Sequence, residues 1–169
     1  AADALEQVHV AIIGAGLGGL CAAIRLEQAG IPYTVFDKNP DVGGTWFENT
    51  YPDLRVDVPN HFYSYSFAPN PDWSDYFARR EELAGYIEQC AVEYGVVPHI
   101  RFDTEVVAMT FDEVESTWRL DTASGDRFVA RFGQRPSVDA AEQQLPKVGG
   151  GPDGRGHLVL LYVAKSDDQ

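Results

Sequence analysis

The sequence is short of several things, and each shortage excludes something. Of its 169 residues only two are cysteine, Cys21 and Cys90, and neither stands in a metal-spaced pair. Four histidines, His9, His61, His99 and His157, are scattered too widely to suggest a zinc site. Lys and Arg number 13 against 26 Asp and Glu, a formal net charge of −13. A nucleic acid needs a basic face for its phosphates, so that class of partner is set aside, and an anionic membrane surface with it. No apolar run approaches transmembrane length, and no basic region followed by an apolar run opens the chain. The expectation is a cytoplasmic protein whose numbering starts inside a longer precursor, since residue 1 is Ala and not Met.

What is present suits one globular domain: 44% hydrophobic residues, 12% aromatic and 23% charged. Val8-His9-Val10-Ala11-Ile12-Ile13 is a short β-branched run, read as a buried parallel strand. From Leu17 to Ala29 the apolar spacing turns helical, and Gly30 is placed to stop the helix. Tyr33-Thr34-Val35-Phe36 is a second strand, closing on Asp37. Residues 39–71 then lose any period and fill with Gly, Pro, Asn and aromatics, a stretch long enough to suggest a working loop. A helix is predicted from Arg79, with Leu83, Tyr86, Ile87, Cys90 and Tyr94 on one face and Gly95 at its end. His99–Phe102 predicts another parallel strand. Glu105–Phe111, Thr117–Thr122 and Arg127–Phe132 predict an antiparallel meander. Residues 133–156 read as linker, and His157–Ala164 as one last candidate strand.

Between the first strand and the first helix stands Gly14-Ala15-Gly16-Leu17-Gly18-Gly19, a G-x-G-x-x-G. Gly14 permits the tight turn, Gly16 lets backbone approach a pyrophosphate, and Gly19 lets helix and strand pack closely. Asp37 ends the second strand, where a carboxylate accepts hydrogen bonds from ribose hydroxyls. Strand, glycine turn, helix and strand make a Rossmann-type βαβ unit for the ADP half of a dinucleotide. An acidic Asp37 disfavours the 2′-phosphate of NADP as the first ligand. The alternatives at this point are a glycine turn without ligand and a merely solvated Asp37.

Gly43-Gly44-Thr45-Trp46, Asn49-Thr50-Tyr51-Pro52, Arg55-Val56-Asp57, Tyr63-Ser64-Tyr65-Ser66-Phe67 and Trp73 resemble the N-terminal part of Baeyer–Villiger monooxygenases. Glu81, Tyr86, Tyr94-Gly95, Phe102-Asp103-Thr104-Glu105-Val106 and Trp118 continue the likeness, which covers roughly residues 8–132. Pro59-Asn60-His61-Phe62-Tyr63 is similar to the branch acting on aryl ketones such as hydroxyacetophenones. The resemblance implies FAD as the cofactor, and for the full-length enzyme NADPH, O₂ and a small ketone substrate converted to an ester or lactone. It implies that Gly14, Gly16 and Gly19 hold the pyrophosphate and Asp37 the adenosine ribose, where the family usually has Glu. Gly44, Thr45, Trp46, Asp57 and Tyr63 would line the flavin side, and the backbone of Val106 the adenine side. Asp57 is the one residue of catalytic rank, orienting an arginine from elsewhere in the enzyme. Its alternative is an ordinary pairing with Arg55. Most of the aromatics Phe62, Tyr63, Tyr65, Phe67 and Trp73 are expected to be packing.

The resemblance also implies parts that do not follow. No second G-x-G-x-x-G recurs after Gly19, and no Trp follows Trp118, so the NADPH fingerprint is missing. The expected organisation is therefore a partial, truncated FAD-binding domain over 1–132, Rossmann-like with an antiparallel meander. Residues 133–169 are expected to be an atypical tail outside the family pattern. Two functions stay open: the FAD-binding portion of a ketone monooxygenase, inactive alone, or a non-catalytic module for FAD or another adenine dinucleotide. An NAD-binding domain with different chemistry ranks below both.

Overall fold

The computed structural model describes residues 9–114 and 117–131, so Val8, the 133–156 linker and the candidate strand at 157–164 lie outside the described residues. Strand β1 (Val10–Ile13) leads into helix α1 (Leu17–Ala29) and strand β2 (Tyr33–Phe36). Helix α1 ends as its sequence requires: Gly30 takes a left-handed φ of 65°, and its N–H bonds the carbonyl of Glu27 at 3.0 Å. A four-residue helix α2 (Thr45–Glu48) follows, then helix α3 (Arg80–Glu93) and strand β3 (Ile100–Arg101). Strands β1, β2 and β3 form a parallel sheet in that order, Val10 opposite Tyr33 and Val35 opposite Ile100. Among the described residues β1 has a neighbour on one side only.

Strands β4 (Val106–Asp112), β5 (Thr117–Thr122) and β6 (Arg127–Arg131) form the predicted antiparallel meander. The two sheets share one layer of side chains, and the period of two in β1 and β2 explains how. Val10, Ile12, Tyr33 and Val35 face the helices and join a core with Leu20, Ile24, Leu83 and Ile87. Ala11, Ile13 and Phe36 face the other way, packing against Leu120, Ala130 and Phe128 of the meander. Both faces of the parallel strands are thus covered, which is why they read as continuous apolar runs.

The loop of residues 49–78 is irregular as expected, but firmly held. A one-turn 3₁₀ helix at Asn60–Phe62 centres it, and Asn60 is 4% exposed. The Asn60 side chain donates to Asp75 O at 2.5 Å and accepts from Ala78 N–H at 2.6 Å. Tyr63, Tyr65, Phe67 and Trp73 pack against the main core, as a packing role demands, whereas Phe62 stands 75% exposed.

Candidate cofactor site

The site is built where β1 stops. Gly14 has a φ of 96°, and its N–H donates to Phe36 O at 2.8 Å, so the turn is fastened to β2 as it leaves the sheet. A Cβ built on Gly19 would lie 1.8 Å from the carbonyl oxygen of Gly14. No side chain fits there, so the third glycine of the motif answers to internal packing. Gly16 differs: a Cβ on it would meet only the Gly44 backbone, at an ordinary 3.5 Å. Nothing among the described residues demands glycine at 16, which leaves close approach by a further group as its physical reason.

Gly16 caps α1 without a side-chain hydrogen bond, and no acidic residue stands in the first turn. The first bond of the helix runs from Leu20 N–H to Gly16 O at 2.9 Å. The amides of Leu17, Gly18 and Gly19 find no acceptor among the described residues. A first helical turn with bare N–H groups and a positive dipole end suits an anionic group, phosphate above all.

The second glycine pair lies against this turn. Gly43 N–H donates to Ala15 O at 3.0 Å, and a Cβ on Gly44 would come within 3.0 Å of Gly16 Cα. Gly43 and Gly44 have φ of 129° and 56°, conformations that side chains resist. Gly44 then caps α2, whose first residue is the exposed Thr45. Trp46 is 6% exposed within the core, and its Nε1 donates to the Tyr63 hydroxyl at 3.1 Å with the rings edge-on. The buried Trp46 and half-buried Tyr63 thus form one aromatic wall following the glycine pair.

Asp37 is 5% exposed. Its carboxylate turns inward, accepting from Ala15 N–H and, at 2.8 Å, from Asn39 N–H. Sequence reasoning placed the residue correctly but had no signal for these two partners. Asp57 is exposed and makes no hydrogen bond or ion pair among the described residues. The alternative of an Asp57–Arg55 pair is overturned: Arg55 is engaged at 3.0 Å by both Asp53 and Asp75. Val106 opens β4 opposite Thr122, half-buried between the two sheets. On the far side of the turn, Glu48 receives Lys38 Nζ and Asn39 Nδ2, each at 3.0 Å. Those two contacts hold its carboxyl below the usual range, the Asn39 bond being the larger cause.

Residues 12–80 match the model of a family described as an NAD(P)-binding Rossmann-like domain. A Baeyer–Villiger monooxygenase of Streptomyces coelicolor is 46% identical over 121 residues, 71% of this chain and 23% of that protein. The solved structure of an oxidized steroid monooxygenase bound to NADP superposes with a TM-score of 0.69 at 37% identity, over 72% of this chain and 24% of the other. The chain belongs to the Baeyer–Villiger monooxygenases. An uncharacterized monooxygenase of Mycobacterium bovis is 41% identical over 159 residues. That alignment takes in 94% of this chain, and therefore part of residues 133–169, and 31% of the relative. This Baeyer–Villiger chain thus spans about a quarter to a third of the length of the relatives it matches.

Proposed function

We propose that residues 9–131 hold the ADP half of FAD, with the pyrophosphate on the first turn of α1. The observation that carries the assignment is the uncapped helix start at Gly16, with three amides lacking acceptors among the described residues and Gly44 packed opposite. An acidic protein can neutralise a pyrophosphate there without Lys or Arg. Gly14 and Gly19 shape the turn and Gly16 leaves it open. Gly44, Thr45, Trp46 and Tyr63 form the wall that continues from it toward the flavin side, and the Val106 backbone lies toward the adenine. FAD supplies the redox chemistry by which NADPH and O₂ oxidise a ketone to an ester or lactone. Asp57, exposed and unpaired among the described residues, is the acid free to orient an arginine outside them. The run from Pro59 to Tyr63 favours aryl ketones. Cys21 and Cys90 are both free thiols, as suits a reducing cytoplasmic setting.

The chain alone is proposed to bind but not to turn over, because it spans only a fraction of its relatives. Reconstitution with FAD, read by the flavin absorbance bands and by thermal melting, tests binding: a ligand that binds only the native state raises Tm. Unchanged Tm and free flavin after gel filtration would overturn the proposal. Sustained ketone-dependent NADPH consumption by the 169 residues would overturn its second half.

A further inference from the structure

Two elements assigned above to the flavin side meet at the first residue of α3, Arg80: helix α2 with Thr45 and Trp46, and the segment that leads to Asp57. Arg80 N–H donates to Leu54 O at 2.9 Å, and Val56 N–H donates to Ala78 O at 3.1 Å, an antiparallel bridge centred on Arg55 and Arg79. Leu54 and Val56 are buried, so Asp57 emerges from a fixed stretch. The Arg80 side chain reaches α2 instead, where Nη2 donates to Phe47 O at 3.2 Å. Among the described residues no other hydrogen bond joins α2 to α3. Carbonyls in the last turn of a helix lack helical donors and form the negative end of its dipole, so a cation suits them. Stability alone does not account for this cation. It is half-buried, no acid pairs with it among the described residues, and its Nε is buried without a partner. A guanidinium in that state costs free energy, offset by one charge-assisted bond.

Resting on the cofactor site proposed above, we infer that Arg80 is a positioning residue for the flavin side, its guanidinium holding the end of α2 in register with the segment that carries Asp57. The pyrophosphate side is fixed without it, through the bonds of Gly14 to Phe36 and of Gly43 to Ala15. The other side chains that tie α2 come from elsewhere: Lys38 and Asn39 from the loop after β2, and Tyr63 from the end of the 3₁₀ turn. Among the described residues Arg80 alone refers α2 to α3 and, through its own N–H, to Leu54. Loss of the side-chain bond frees α2 to shift about its glycine cap. Thr45 and the Trp46 indole then move, while the first turn of α1 stays where it is. FAD, which touches both regions, binds less well to a wall no longer set in advance, and ADP, which needs only the α1 turn, does not notice.

The test uses the 169-residue chain with Arg80→Met, which keeps an apolar stem and removes every donor, and Arg80→Gln, which is uncharged and too short to reach Phe47 O. Calorimetry with FAD and with ADP is read beside the visible flavin spectrum. Each variant is expected to bind FAD about tenfold more weakly, ADP within about twofold of wild type, and to show a shifted flavin band. Folded variants that bind both ligands as the wild type does would overturn the inference. So would an equal loss for FAD and ADP, the mark of a merely structural role, and so would a wild type that binds ADP but not FAD. Should neither variant fold, the guanidinium of the ligand-free wild type decides by NMR. Nη protons resolved and slow to exchange support the bond to Phe47 O, and protons averaged and exchanging as in free arginine refute it. A wild type that binds neither FAD nor ADP would sink the cofactor reading. The guanidinium signals, and a shift of the Trp46 indole N–H resonance in the variants, would then still judge the tie to α2.

Discussion

The glycine segments at 14–19 and 43–44 are pinned almost wholly by main-chain groups, whereas residues 49–78 add a set of side-chain bonds to main-chain ones such as Val56 N–H to Ala78 O at 3.1 Å. In the first region the bonds run Gly14 to Phe36, Gly43 to Ala15, and Ala15 and Asn39 to the carboxylate of Asp37. Only that carboxylate is a side chain. In the second, Asn60 bonds Asp75 and Ala78, and Tyr65 donates to Leu17 O at 2.6 Å. Tyr86 and Tyr94 on α3 donate to Ala68 O and Phe67 O, while Arg25 of α1 lies 4.1 Å over the Phe67 ring. Burial raises the phenols of Tyr65 and Tyr86, so both remain protonated donors at any ordinary pH. The contrast teaches where specificity of shape comes from. A turn fixed by main chain depends on residues without side chains, and a loop fixed by side chains depends on a few polar ones.

Gly19→Ala breaks the first region most severely. Its methyl would overlap the Gly14 carbonyl, and backbone on both sides prevents an easy escape. The expected loss is more than about 3 kcal/mol, with FAD binding abolished, checked by denaturant unfolding and a flavin spectrum. A variant that melts with the wild type would show that helix and strand can separate at that contact. Asn60→Ala is the matching blow to the second region. It leaves the Ala78 amide and Asp75 carbonyl without their partner inside the loop, for an expected loss of about 2–3 kcal/mol by the same unfolding measurement. The comparison is sharpened if FAD binding survives in Asn60→Ala under conditions where it is folded.

How much of this was legible in the sequence follows the same division. The βαβ unit could be read because its signals are local: β-branched runs at Val10–Ile13 and Tyr33–Phe36, a glycine turn, and a C-terminal glycine. The meander was equally legible, Gly125 with a φ of 88° marking its second turn. Helix α2 was not, because four residues carry no period and a nucleus that short stands on tertiary contacts. The predicted strand at 99–102 narrows to a ladder of Ile100–Arg101, since Val97–His99 curls into a 3₁₀ turn first. At the site, Gly14, Gly16 and Gly19 were read with their reasons. The inward turn of Asp37 and the centring role of Asn60 were not, because each rests on partners far along the chain that no local pattern announces. Asp57 could not be read locally either: the nearest arginine in sequence was the wrong partner, two acids from the other side having taken it.

The smallest expected effect lies at the rim of the main-chain-pinned region, where side chains do contribute. Glu48 of α2 ties back to the loop after β2 through Lys38 and Asn39, the Lys38 side chain being 48% exposed and that of Glu48 28%. An ion pair that open to solvent contributes under about 1 kcal/mol. Asn39 first, and Lys38 after it, hold the Glu48 carboxyl below its ordinary 4.5, so the folded state binds that proton less readily than the unfolded chain. Its contribution is therefore fully present above about pH 4.5 and is lost as the pH falls through the lowered folded value. Glu48→Gln should melt about 2–3 °C below the wild type at pH 7, and the gap should close as both are melted at successively lower pH below 4.5. A gap that stays constant to pH 3 would mean that the carboxylate charge plays no part, and that α2 is held by its other contacts, the glycine cap, Trp46 and the Arg80 bond to Phe47 O at 3.2 Å among them.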